Sequence, residues 1–228
     1  MTIKAVVFDL DGTLAEFNLD YKTVRAEAKQ FLANQGLPAS IFSIDESIFE
    51  MLKKARVYVR NIGKSEQEFF SLQEKVLSMA CKHELRAARE TSLLPGVFET
   101  LKTLKQMNLK LAIFTLNGEK STDCILRNFR LKQFFDAIVT RESVSHTKPD
   151  PSHLATVLKS LNVNADETIV LGDSTVDMRS AKSMNATAVG IATDKDRVKK
   201  LNSAGATQTV GSITDLPALI DRLSKNKA

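Results

Sequence analysis

Residues 4–13 read KAVVFDLDGT, an apolar run that ends in two acids and a glycine. Lys4–Leu10 is β-branched and almost wholly apolar, as expected of a strand buried on both faces of a parallel sheet. In an extended chain, residues two apart point the same way, so the carboxylates of Asp9 and Asp11 can face one cavity. Gly12 then lets the chain turn away sharply. Two carboxylates opening on one pocket repel each other unless a cation lies between them. Hard oxygen donors with no His or Cys nearby favour Mg²⁺. Taken alone, these residues also fit an acidic turn that closes a strand.

Outward from this segment the pattern changes twice. Between Tyr21 and about Arg89, apolar residues recur at helical spacing, as in Val24, Ala28, Phe31 and Leu32, and again in Phe69, Leu72, Val76, Leu77 and Ala80. Gly36-Leu37-Pro38 and Gly63-Lys64 punctuate the stretch, which reads as an insertion of three or four helices without a strand. From Leu94-Pro95-Gly96 onward, strands and helices alternate. Strands are expected at Leu109–Thr115, Asp136–Thr140, Glu167–Gly172, Ala186–Ile191 and Gln208–Val210. Helices are expected over Val97–Met107, Lys120–Asn128, Val176–Met184 and Leu216–Leu223. One more helix should open at Asp150, a natural N-cap followed by Pro151, and run to about Leu161. Such alternation implies right-handed crossovers and an α/β fold with a doubly wound parallel sheet. Residues 1–14 and 93–228 would form this core, and 15–92 the all-helical insertion. Ligands of such sheets bind beyond the carboxyl ends of the strands, so the chemistry should follow each apolar run.

Polar residues do stand at those positions. Thr115-Leu116-Asn117-Gly118 offers a hydroxyl and an amide suited to phosphate oxygens, or an ordinary turn. Lys148-Pro149-Asp150 places a lysine held extended by the following proline, although an exposed surface lysine reads equally well. Gly172-Asp173-Ser174-Thr175-Val176-Asp177 sets one acid at a strand end and another in the first turn of a helix, where acids also balance the helix dipole. Each plain reading is reasonable singly. Jointly they fail, because four strand ends carry an acid pair, a hydroxyl, a lysine and an acid pair in succession.

On these residues, DLDGT at Asp9–Thr13, Thr115, Lys148 and GDSTVD at Gly172–Asp177, the chain resembles the haloacid dehalogenase (HAD) superfamily, and most of all its phosphoglycolate phosphatase-like branch. The likeness covers residues 1–14 and about 93–228, and the helical insertion resembles the family's cap domain. It implies a Rossmann-like HAD core and an Mg²⁺-dependent phosphatase acting on a small phosphate ester. Asp9 would be the nucleophile and form an aspartyl-phosphate. Asp11 would protonate the leaving alkoxide and later deprotonate the water. A halide leaves without a proton, so the presence of Asp11 favours phosphoryl chemistry over dehalogenation. The resemblance assigns the metal to Asp9, the backbone carbonyl of Asp11 and Asp173, with Asp177 close by or acting through water, and the phosphate to Thr115, Asn117 and Lys148. This chain departs from the pattern where Leu116 separates Thr115 from Asn117, where Asn185 replaces a common glycine, and at Ala15-Glu16-Phe17. Glu16 and Phe17 would lie at the cap hinge. Arg56, Arg60 and Lys64 are the cap cations first in line for an acidic substrate, while the spacing of Arg56 and Arg60 also suits a solvated helix face.

Composition narrows the alternatives. The chain has 228 residues and a formal charge of +5, with no Trp and two Tyr. Its basic residues are dispersed rather than clustered among aromatics, which argues against a nucleic-acid partner. No run approaches the length of a membrane span, and no secretory signal precedes Ile3, so a cytoplasmic location is expected. A monomer or homodimer acting on a small molecule is the expected assembly. Cys81 and Cys124 lack metal-ligand spacing and read as ordinary thiols. Gly118-Glu119-Lys120-Ser121 lacks the earlier glycine of a P-loop. Three rivals share the scaffold: a phosphosugar mutase, a phosphonate hydrolase using Lys53, Lys54 or Lys64 to form an imine, and a non-catalytic binding protein.

Overall fold

A computed structural model describes residues 2–16 and 18–225. Phe17 and residues 1 and 226–228 lie outside the described residues. The chain divides into two units, Met1–Phe17 with Ala88–Ala228, and Asn18–Ala87.

In the first unit, strands β1 (Ala5–Phe8), β4 (Lys110–Phe114), β5 (Ala137–Val139), β6 (Thr168–Gly172), β7 (Thr187–Ile191) and β8 (Gln208–Val210) form one sheet in the order β5-β4-β1-β6-β7-β8. Every pair in it is parallel. Strand order reverses at β1, which lies between β4 and β6 and is buried along its whole length. Helices α4 (Val97–Gln106), α5 (Glu119–Asn128), α6 (Pro151–Leu161), α7 (Thr175–Ser183), α8 (Lys195–Ala204) and α9 (Leu216–Lys225) supply the crossovers and the end of the chain.

The alternation of side chains divides the sheet into two apolar faces. Ala5, Val7, Ala112, Phe114, Val170 and Ala188 pack in one core with Leu154, Val157 and Leu158 of α6, Met178 and Ala181 of α7, and Leu201 of α8. On α6, Asp150 caps the helix by accepting the Ser152 N–H, and Pro151 stands at the first helical position. Asn185, at the common glycine position, takes φ +59°, a left-handed backbone that asparagine tolerates better than most residues.

Three elements were not expected from sequence. Strands β2 (Ala15–Glu16) and β3 (Ser92–Leu93) pair antiparallel, Ala15 with Leu93 and Glu16 with Ser92. Two-residue strands carry no periodicity to read, and both belong to the first unit. Helix α8 was also missed because only Leu201 and Ala204 of it are buried. Its signals were present nonetheless. Asp194 accepts the N–H groups of Asp196 and Arg197 as N-cap, and Gly205 closes the helix at φ +116°.

The second unit is built from α1 (Tyr21–Asn34), α2 (Ile48–Asn61) and most of α3 (Glu66–Glu90), with no strand among its described residues. Its core joins Val24, Ala28 and Leu32 of α1 to Met51, Ala55 and Val59 of α2 and Phe69, Val76 and Ala80 of α3. A capping box between Ser47 and Glu50 fixes the start of α2. Among the described residues of the whole chain, no helix is long and apolar enough to cross a membrane.

Candidate active site

The register of the sheet assembles the site. Phe8 of β1 lies level with Leu171 of β6 and Ile113 of β4, so the residues that follow these strands emerge at one height. Asp9 continues the ladder by donating its N–H to the Leu171 carbonyl at 2.9 Å. Just beyond it, Gly12 takes φ +68°, and its N–H donates to the Ala15 carbonyl. A Cβ on Gly12 would lie 2.5 Å from Asp173 Oδ2, so a side chain there would have to displace the Asp173 carboxylate.

Carboxylate oxygens of Asp9, Asp173 and Asp177 lie within 4.8 Å of one another. Lys148 sits against two of them: its buried ammonium donates to Asp9 Oδ1 and to Asp177 Oδ1, each at 2.6 Å. Asp177 is fully buried, and its other oxygen accepts from the backbone N–H and the hydroxyl of Ser174. Asp173 accepts from Arg197 Nη2 at 2.7 Å.

Burial raises the Asp9 carboxyl to about 7, with Asp177 and Asp173 adding to the rise and Lys148 opposing it. Burial also raises Asp173, helped by Asp177 and opposed by Arg197. For Lys148, burial alone would lower the ammonium, but the carboxylates of Asp177 and Asp9 outweigh it and hold it above its ordinary value. Three clustered acids, two held by the buried Lys148 and the third by Arg197, form an electrostatically loaded site rather than a settled surface pair.

The loop after β4 contributes donors. Thr115 is buried, and its hydroxyl oxygen accepts the Asn117 N–H at 3.1 Å. Asn117 is also buried, and its Nδ2 has no hydrogen-bond partner in this structure. An orphaned buried amide is costly unless a ligand oxygen meets it. From the exit of β5, Arg141 pins this loop by donating to the Leu116 carbonyl at 3.1 Å.

Asp9, Lys148, Asp173 and Asp177 therefore stand together, with Thr115 and Asn117 on the loop that follows the adjacent strand. Asp11 is half-buried, and its side chain is not one of the three clustered carboxylates. Sequence reading overlooked Arg141, Arg197 and His153. Arg197 was findable through the cap of α8; the other two carry no motif signal. In the second unit, Arg56 is engaged with Glu66 at 2.9 Å and lies 5.6 Å from the centre of the Phe69 ring. Lys54 pairs with Glu46, and Lys64 with Glu68. Glu16 lies in the first unit, accepting from Ser92 Oγ, and Phe17 is outside the described residues.

The donor set fits a hard divalent cation. All three side chains offer oxygen, and their mutual spacing lets them share one ion.

A family profile described as haloacid dehalogenase-like hydrolase matches residues 6–191. Phosphoglycolate phosphatase 1 of Pseudomonas aeruginosa is 27% identical over 227 residues, covering 97% of this chain and 81% of that protein. Pyrophosphatase PpaX of Bacillus mycoides is 26% identical, covering 98% and 100%. Among solved structures, a hydrolase from Pseudomonas syringae is similar at a TM-score of 0.66 and 28% identity, covering 96% and 99%.

Proposed function

The chain belongs to the haloacid dehalogenase-like hydrolases, and from that premise we propose that it hydrolyses a small phosphate monoester of the phosphoglycolate kind. The observation that carries this reading is the contact of Lys148 with Asp9 beside Asp173 and Asp177. A lysine held there meets the charge of a phosphoryl group arriving at Asp9.

Asp9 Oδ attacks phosphorus in line, the ester P–O bond breaks, and an aspartyl-phosphate forms. Asp11 gives its proton to the departing alkoxide, then takes one from the water that cleaves the acyl-phosphate. Lys148, Thr115 and Asn117 hold the non-bridging oxygens, so charge developing on the transferred group meets donors already in place. Asp9, Asp173 and Asp177, with the Asp11 carbonyl, would hold Mg²⁺. When bound, the ion offsets repulsion between an anionic nucleophile and an anionic substrate. The buried position of Asp9 limits the water that competes with substrate for the nucleophile.

The test is Asp9→Asn assayed for phosphate release from phosphoglycolate and related esters with Mg²⁺. The variant should fold normally and release no phosphate. Release near the wild-type rate would refute the assignment of the nucleophile. Hexose phosphate converted to an isomer without free phosphate would instead mark a mutase.

A further inference from the structure

We infer that His153 is a positioning residue for Lys148, fixing the backbone from which the lysine ammonium reaches Asp9; this rests on the role given to Lys148 above. His153 lies in the first turn of α6 and is fully buried. The Lys148 backbone N–H donates to its Nδ1 at 3.1 Å. A nitrogen that accepts cannot carry the ring proton, so that proton sits on Nε2, which donates to the Val139 carbonyl at 3.3 Å. One imidazole thus ties the lysine backbone to the end of β5, with both nitrogens satisfied.

Phe114, the last residue of β4, completes the hold. Its ring packs against the His153 ring with centroids 5.6 Å apart, and the Lys148 ammonium lies 4.2 Å from its centre. A lysine side chain is flexible, and a point charge must be aimed to serve catalysis. Here its backbone is fixed by a histidine and its head by a ring, and the same ring supports the histidine. Packing alone would be met by leucine. The acceptor facing the lysine N–H is what the histidine adds.

The experiment compares His153→Leu, which keeps bulk but removes the acceptor, with His153→Asn, whose Oδ1 falls at the place of Nδ1. Two readouts are taken: hydrogen exchange of the Lys148 amide by NMR, and turnover of p-nitrophenyl phosphate with Mg²⁺. In His153→Leu the amide should lose protection, and kcat should fall on the order of tenfold to a hundredfold with KM little changed. His153→Asn should restore both readouts toward wild type. A purely structural role would make both losses follow thermal stability, regardless of the acceptor. Unchanged protection in His153→Leu would overturn the inference, as would an Asn variant no better than Leu at matched stability. Should His153→Leu not fold, a Lys148 amide left unprotected in His153→Asn would count against it equally. A wild-type enzyme without turnover would sink the phosphatase reading, while the exchange rates would still decide whether His153 holds Lys148.

Discussion

Replacing Lys148 with methionine keeps most of the side-chain volume and removes the charge between Asp9 and Asp177. Each 2.6 Å contact corresponds to roughly 6 kcal/mol of Coulomb attraction at an effective dielectric of about 20. Most of that is offset by dehydrating three buried ions, so breaking the pair from one side should cost about 3–5 kcal/mol. The penalty must also depend on pH. Asp9 sits at about 7 even with Lys148 opposing the rise, and without the ammonium it climbs further. A raised carboxyl binds a proton in the folded state where the unfolded chain, at its ordinary value of 3.8, does not. Destabilisation should therefore be greatest near pH 8 and shrink toward about pH 5, where folded Asp9 is neutral. Urea unfolding followed by circular dichroism is the suitable assay, since the chain has no Trp to report by fluorescence. The variant should also lose turnover. A loss of stability below about 1 kcal/mol that stays flat with pH would refute the reasoning, because that is the behaviour of a solvated surface pair.

Other outcomes follow from single features. His153 is held near 4 by burial and by the neighbouring Lys148 charge, against an ordinary 6.5. A folded value below the unfolded one means that stability is complete above 6.5 and is lost as pH falls toward 4, by roughly 3 kcal/mol, a slope that His153→Asn should remove. Gly12→Ala should cost about 1–3 kcal/mol, the penalty of an alanine held at φ +68°, and should displace the Asp173 carboxylate its Cβ would approach to 2.5 Å; a stability change under about 0.5 kcal/mol would show that the turn differs. Mg²⁺ at about 100 times its Kd should stabilise the wild type by roughly 2.7 kcal/mol, measured as a rise in unfolding midpoint. Asp173→Asn should shrink that rise, and an undiminished shift would place the ion elsewhere.

The parallel core was legible because its information is local. An apolar run such as Lys4–Leu10 can be satisfied only by burial on two faces, and the acids, hydroxyl and lysine that interrupt such runs have no packing reason to be there. Asp150-Pro151 announced α6 in the same way, through a cap that works within a few residues of itself. Helix α8 had caps but little apolar periodicity, and β2 and β3 are too short to show a period at all.

What the sequence determined by itself was which residue types stand at the strand ends, and hence the family of chemistry. What only the tertiary structure decided was their pairing: that Lys148 spans Asp9 and Asp177, that Arg197 meets Asp173, and that His153 holds the Lys148 backbone. Lys148 is 139 residues from Asp9, and contacts of that range are set by sheet order and register rather than by any neighbour along the chain. Side-chain charge is written in each residue, but its protonation depends on burial and on partners that exist only once the strands have aligned.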